Sequence, residues 1–362
     1  MIPAGAVWAL YRTAGTLASP LAAPYLARRV RRGKEDPDRA REKRGFASAS
    51  LADRPIWLHA VSVGESVAAL PLARRLEESG FAVLFTTGTP TASARLSSEA
   101  PELVHQFAPL DAPPFLHRFL GHWRPRAALF TEQEIWPTTL TMLARAQIPR
   151  AHVNARLSAR SCARWKKSPA LAKALFKTIS VACAQTAQDA ARFGDLGAGE
   201  VHLTGNLKFD SPPPPALKTT VAALREAIGE RPVWLAASLH PGEESFIVEV
   251  HRRLKERWPD VVSILAPRHP ATADLISAAA KTAGVSTITR RTAGDPPRGL
   301  YIADTLGEMG VLFSVAPVTF LGGSFVPVGG HNPAEPAAFD SALLTGPSHG
   351  AMFEPFVDQG GA

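Results

Sequence analysis

The chain has 362 residues, of which 46% are hydrophobic and 20% charged, with a formal net charge of +8. That is enough to bury a large core in about two domains, and it excludes a disordered chain. Two cysteines, Cys162 and Cys183, exclude a disulfide framework and a cysteine zinc cluster and point to a reducing compartment, while the basic balance suits nucleic acid, anionic lipid or an anionic small substrate.

Residues 2–27 carry a single charge, Arg12, and are followed by RRVRRGK at 28–34. A secretory signal places its basic residues first. A transmembrane helix needs a cleaner apolar run than one broken by Arg12, Pro20 and Pro24. The segment 1–34 therefore reads as a monotopic or single N-terminal anchor, with Arg28, Arg29, Arg31, Arg32 and Lys34 set against anionic lipid. The alternative is an N-terminal helix packed on the protein's own core.

Short apolar runs then alternate with amphipathic ones. Strands are expected at 55–63, 81–87, 103–108, 126–131, 150–154, 178–184 and 201–204, with helices between them such as 66–79. Strand, crossover helix, strand is the signature of a parallel sheet covered on both faces. SPPPP at 211–215 interrupts the pattern as a stiff extended connector. Strands resume at 233–237, 261–266, 285–289, 300–303 and 316–321. The expected division is an anchor at 1–34, a domain at 35–210, a linker at 211–215 and a second domain at 216–362. Both domains read as doubly wound and Rossmann-like, facing across a cleft where such sheets bind ligands. The second sheet stops short of a further strand and closing helix, so the C-terminal domain reads as incomplete.

Chemistry concentrates at strand exits. In the first half, HAVSVGES (59–66) places Glu65 at a helix start, where it can serve as a general base or simply cap the helix. TEQEIWP (131–137) adds Glu132 and Glu134, NARLSAR (154–160) adds Asn154 and Arg156, and TGNLKFD (204–210) adds Lys208. In the second half APRHP (266–270) offers Arg268, whose guanidinium can clamp a phosphate. SLHPGEE (238–244) and DTLGEMG (304–310) are further strand-to-helix turns. LGGSFVPVGGHNPAEPAAF (321–339) joins a glycine-rich turn to a helix start, with Asn332 as cap, Pro333 first and Glu335 third. Amides there suit a phosphate, and Glu335 is either a capping-box partner or a carboxylate for ribose hydroxyls. Neither a P-loop nor a dinucleotide fingerprint occurs. The histidines show no HExxH or paired-helix spacing, so no metal and no cofactor is assigned. No basic–aromatic reader motif supports a nucleic-acid partner.

HAVSVGE, TEQEIWP, NARLSARS, TGNLKFD, APRHP, DTLGEMG and GGSFVPVGGHNPAEPAAF, in this order, resemble the serial motifs of 3-deoxy-D-manno-octulosonic acid (Kdo) transferases. The resemblance implies a GT-B glycosyltransferase that moves Kdo from CMP-Kdo to the lipid A precursor with inversion, at the cytoplasmic face of the inner membrane. It maps the proton acceptor onto Glu65 and transition-state stabilisation onto Glu132 and Lys208. It maps CMP contacts onto Pro267, Arg268, Leu306, Gly307, Glu308, Asn332, Pro333, Ala334 and Glu335. The family's GP…NF segment stands here as GPSHGAMF, with Met352 in place of Asn. The alternatives are another GT-B lipid glycosyltransferase using a UDP-sugar, and an inactive membrane-bound protein that binds nucleotide or lipid.

Overall fold

The computed structural model describes residues 4–350 and 352–358. The chain divides into two compact units, Met1–Ser211 and Pro212–Ala362. The first opens with helices α1 (Ala4–Ala18) and α2 (Ala22–Arg31), then runs β1 (Ile56–Ala60), α3 (Val63–Glu78), β2 (Val83–Thr87), α4 (Pro90–Glu99) and β3 (Val104–Phe107). It continues through α5 (Pro113–Trp123), β4 (Ala127–Thr131), α6 (Pro137–Arg145), β5 (Arg150–Ala155), α7 (Ala159–Lys166) and α8 (Pro169–Phe176). β6 (Val181–Ala184), α9 (Ala187–Leu196), β7 (Glu200–Leu203) and a short 3-10 turn at Leu207–Asp210 complete it.

The seven strands form one sheet in the order β3-β2-β1-β4-β5-β6-β7, and every adjacent pair is parallel. β1 and β2 are buried along their whole length, as a sheet covered on both faces requires. Alternate residues serve opposite layers: Trp57, Leu84 and Phe130 pack with Phe119 and Phe176, while Leu58 and Phe85 pack with Leu70 and Leu96. Helix α3 starts at Val63, three residues before the apolar periodicity indicates, because the Ser62 hydroxyl accepts the Glu65 amide and caps it.

The second unit contains α10 (Lys218–Ile228), β8 (Val233–Leu239), α11 (Glu244–Arg257), β9 (Val262–Pro267), α12 (Ala273–Thr282) and β10 (Ile288–Arg290). β11 (Leu300–Ile302), α13 (Met309–Val315), β12 (Val318–Leu321), α14 (Ala334–Ala337), β13 (Ala342–Thr345) and α15 (Glu354–Asp358) follow. Its sheet runs β10-β11-β9-β8-β12-β13. Two features differ from the sequence expectation. A sixth strand, β13, pairs with β12 from Val318–Ala342 to Leu321–Thr345. The helix after Pro333 is a single turn that has Pro333 rather than Asn332 in the cap position, with Asp340 at φ +57° beyond its end. The linker prolines are also seated rather than free-standing: a Cβ on Gly310 of α13 would collide with the carbonyl oxygens of Pro214 and Pro215.

In the first sheet the chain winds outward from β1 through β2 to β3 and then returns to fill the other side. In the second it passes from β8 to β9, out to the edge strand β10 and back to β11, before β12 and β13 fill the other side. The order therefore reverses between β1 and β4 in the first unit, and between β8 and β12 in the second. The connections leaving those neighbouring strands diverge to opposite faces and open a crevice at the carboxyl ends.

Phe119 is fully buried, its ring 4.6 Å from that of Trp57. Phe119→Ala is expected to lower the stability of the first unit by about 3–5 kcal/mol. Hydrogen exchange should show lost protection in β1, β4 and α5 and none in β8–β13.

Candidate active site

In the first unit the crevice between β1 and β4 is spanned by one carboxylate. Glu65 is the third residue of α3, and its Oε2 accepts the Val61 amide at 3.1 Å and the Thr131 hydroxyl at 2.9 Å. Its Oε1 accepts the Ser62 hydroxyl at 2.7 Å. The side chain is thus fixed to the exits of β1 and β4 at once. Oε1 carries one donor among the described residues, which leaves acceptor capacity for a substrate hydroxyl. Glu65 is half-buried, so it is both held and reachable.

Glu132, directly after β4, adopts φ +51°, a left-handed conformation that a non-glycine residue enters only when its surroundings impose it. The constraint is visible: its amide donates to the Val153 carbonyl at 3.2 Å, and its carbonyl accepts the Arg156 amide at 3.4 Å. Burial raises the Glu132 pKa and the Glu65 charge adds to this, while Lys208 and Arg156 oppose both. Glu65, Glu132, Arg156 and Lys208 therefore share one electrostatic environment. Lys208 is placed by a polar network at the ends of β5 and β6. Asn154 Oδ1 accepts the Leu207 amide, Asn206 Oδ1 accepts the Lys208 amide, and Asn206 Nδ2 donates to Gln185.

Glu134 belongs to the same cluster. Its carboxyl is pushed up to about 7 by burial, against the hydrogen bond from Trp136, with Glu65 and Glu132 adding to the rise. The Trp136 indole donates to it at 2.6 Å. Beside these groups lies a mainly apolar cavity of about 190 Å³, bounded by Trp57, His59, Val61, Phe130 and Trp136, with Lys43 at its rim.

The crevice of the second unit is also spanned by a carboxylate, but a sealed one. Glu243 is fully buried. Its Oε2 accepts the amides of His240 (2.9 Å) and Gly323 (2.8 Å), and its Oε1 those of Ser324 and Phe325 (both 3.1 Å). This one side chain ties the exit of β8 to the glycine turn after β12. Gly322 is required by the same closeness, since a Cβ there would stand 2.8 Å from Glu243 Oε2 and 2.7 Å from the Ser238 carbonyl oxygen. Sequence reasoning passed over Glu243. The available signal was a Gly-Glu pair after the first strand of each half, Gly64-Glu65 and Gly242-Glu243.

Around that turn the expected nucleotide-binding residues separate into two groups. Pro267 closes β9, and the Arg268 amide donates to the Leu239 carbonyl at 2.8 Å. Asn332 Oδ1 accepts the Ala334 amide at 3.1 Å and Nδ2 donates to Glu335 at 3.3 Å, with Pro333 between them in the cap position. Burial raises the Glu335 pKa, opposed by the Asn332 hydrogen bond and the charge of Arg268. His240 and His331 stack with their Nε2 atoms 2.9 Å apart. Burial, His240 and Arg268 lower the pKa of His331 to about 4, so that ring is neutral at pH 7. With one helical turn behind it, the dipole at this turn is small. The Leu306–Glu308 turn follows β11 at the same sheet edge, with Leu306 exposed and Gly307 at φ +81°. The Glu308 carboxylate is committed to Arg291, at 2.5 and 3.1 Å, and to the Thr305 hydroxyl. No side-chain hydrogen bond joins this turn to Asn332 or Glu335 among the described residues. No cluster of three or more histidine, cysteine or carboxylate groups suited to a metal occurs among the described residues.

Residues 38–211 match the family model described as 3-deoxy-D-manno-octulosonic-acid transferase (kdotransferase). The 3-deoxy-D-manno-octulosonic acid transferase of Haemophilus influenzae is 35% identical over 318 residues, covering 85% of this chain and 74% of that protein. The chain belongs to the Kdo transferase family. A probable mitochondrial Kdo transferase of Arabidopsis thaliana is 38% identical over 359 residues, covering 94% of this chain and 79% of its own length. A glycosyltransferase structure from Rickettsia africae, 11% identical, aligns over 81% of this chain and 79% of that one with a TM-score of 0.53, which speaks to the fold alone. The Kdo transferase is thus a glycosyltransferase of GT-B type, built from two Rossmann-like units.

Two predictions follow from the carboxylates of this Kdo transferase. Glu243→Gln turns an amide group toward two of four buried donors, and the second unit is expected to lose about 2–5 kcal/mol. Urea unfolding and faster exchange of the Gly323–Phe325 amides would register it. For Glu134, a folded pKa near 7 against an ordinary value of 4.5 means the folded state holds a proton that the unfolded chain releases, so stability falls as pH rises from about 4.5 to 7. Glu134→Gln should erase that component, its Tm advantage over the unsubstituted protein growing across this window and levelling above it.

Proposed function

We propose that the chain transfers Kdo from CMP-Kdo to the lipid A precursor of lipopolysaccharide, with inversion at the anomeric carbon, at the cytoplasmic face of the inner membrane. The observation that carries this reading is Glu65, a reachable carboxylate fixed across the crevice of the first unit by Val61, Ser62 and Thr131, in a chain of the Kdo transferase family. In this reading the acceptor hydroxyl gives its proton to Glu65 as its oxygen forms the bond to the anomeric carbon. The bond from that carbon to the phosphate oxygen breaks on the opposite face, and CMP leaves with the electron pair.

Charge develops on the departing phosphate, and preorganised donors that need no reorganisation lower the barrier. Arg268, with the amides of the glycine turn and Ala334, supplies that role, and Glu335 takes the ribose hydroxyls. Pro267, Asn332 and Pro333 shape the turn, and Leu306, Gly307 and Glu308 contribute backbone to the cytidine. Lys208 and Glu132 flank the reacting centre. The Lys208 ammonium serves the donor carboxylate or the phosphate, and Glu132 orients the charges around Glu65. The donor is anionic, in keeping with the basic balance of the chain.

The membrane reading draws on α1 and α2. Trp8 packs into the core of the first unit, while Leu10, Leu17, Leu21 and Tyr25 are exposed. No helix among the described residues is long and apolar enough to cross a membrane. Arg28, Arg31, Arg32 and Lys34 are exposed, each worth about 1 kcal/mol near an anionic surface. Arg29 is the exception among the expected lipid contacts, since it is bound to the buried Glu35 at 2.6 Å.

Incubation in detergent with CMP-Kdo and tetraacylated lipid A precursor should release CMP and form a glycolipid heavier by one or more Kdo units. Glu65→Ala and Glu65→Gln should each lose roughly 10²–10⁴-fold in kcat, and Arg268→Ala should mainly raise KM for CMP-Kdo. Undiminished turnover in the Glu65 variants would remove it as the base. Failure to bind CMP would remove the donor assignment.

A further inference from the structure

Arg12 is the one charge in residues 2–27, and neither a core-packing helix nor a lipid-facing one explains it. It lies on a single face of α1 with Ala9, Thr13 and Thr16, at helical spacing, and that face walls a cavity of about 630 Å³. α5 contributes His117, and the last turn of α6 contributes Arg145. Two guanidiniums and an imidazole thus face one space within the first unit, away from the residues around Glu65.

The guanidiniums face it without compensation. Several other arginines facing the interior of their units are matched with carboxylates: Arg39 with Glu42, Arg290 with Asp274 and Asp304, Arg291 with Glu308. Arg12 and Arg145 have no carboxylate partner and no side-chain hydrogen bond among the described residues. Asp111 lies between α1 and α6 but is spent elsewhere: it accepts the Thr138 and Thr139 amides, the Thr139 hydroxyl and, at 3.4 Å, the Tyr11 hydroxyl. Burial, and then the Arg145 charge, lower the pKa of Arg12, the sign expected when a cation is desolvated beside another cation. Two planar guanidiniums lining one space can grip an anion with several oxygens bidentately.

The surroundings indicate what carries the anion. On the same helix Leu10 is 70% exposed and Leu17 76% exposed, a pair seven residues apart that leaves an apolar stripe beside the cavity mouth. A free inorganic ion has no use for that stripe, whereas an amphiphile fills both. We propose that the cavity bounded by Arg12, His117 and Arg145 is a receptor for the phosphomonoester headgroup of a membrane amphiphile, whose acyl chains lie along the exposed leucines of α1. A phosphomonoester is favoured over a diester because its charge near neutral pH approaches two and all three terminal oxygens accept hydrogen bonds. The inference builds on the membrane association proposed above, and is independent of Kdo transfer.

The test uses the full chain and phosphatidylcholine vesicles that carry either phosphatidic acid or phosphatidylserine at matched surface charge. The protein should bind phosphatidic acid vesicles about five- to tenfold more tightly, the equivalent of roughly one additional charge-assisted contact. Arg12→Met/Arg145→Met should abolish that preference while changing phosphatidylserine binding little, and should not lower Tm, because it removes a repulsion. If that variant fails to fold, Arg145→Gln, at an exposed position, should reduce the preference alone. Arg28→Gln/Arg31→Gln should weaken both vesicle types equally. Equal binding of the two lipids by the unsubstituted protein, or a preference that survives in the double variant, would overturn the receptor. Binding to neither vesicle would remove the membrane association as well. Stabilisation by millimolar inorganic phosphate without any lipid preference would make the site one for free phosphate and overturn its lipid assignment.

Discussion

The molecule depends on what happens where a parallel sheet reverses its winding. At that point two neighbouring strands send their connections to opposite faces, and the carboxyl ends are left without a covering loop. Backbone amides and diverging helix starts are exposed there, so something must hold the edges together. In both units a glutamate does so, just after the first strand of the sheet. Glu65 joins the exits of β1 and β4, and Glu243 joins those of β8 and β12.

The two spans have different consequences because their burial differs. Glu243 is sealed and accepts four amides, so its oxygens are consumed in shaping the glycine turn. Glu65 is half-buried, takes two of its three donors from hydroxyl groups, and retains capacity for another. A shared solution to the same topological problem has become a fixed scaffold in one unit and an accessible carboxylate in the other. Around Glu65 the chain concentrates further acids, Glu132 and Glu134, whose pKa values are raised chiefly by burial. Lys208 and Arg156 offset part of that cost, which is how a cluster of like charges persists at a folded site.

Much of this was legible in the chain. The strands between Ile56 and Leu203 fall within or beside the expected runs; the central ones, such as β1 and β2, are buried on both faces and read as continuous apolar stretches. The capping of α3 by Ser62 is local chemistry as well. β13 escaped notice because ALLT at 342–345 is only four residues and follows a helix of one turn, so neither element sustains a period. The Asn332–Glu335 segment was recognisable as a helix start, but that the helix runs for one turn only, with Asp340 in a left-handed conformation beyond its end, was not legible there. Arg29 was expected on lipid and is held instead by Glu35, a pairing decided by how α2 folds back.

The sequence by itself determined the fold class, the positions of most strands, the turns that carry polar groups, and the motif series of the Kdo transferase family. These are properties of short stretches, where periodicity, caps and breakers act over a few residues. The tertiary structure alone decided which of those turns meet. Glu65 finds Thr131 across 66 residues of chain, and Glu243 finds Gly323 across 80. Arg12 is left facing Arg145 rather than a carboxylate. Such partnerships follow from strand order and helix packing, which arise from the summed burial of the whole core and are written in no local stretch.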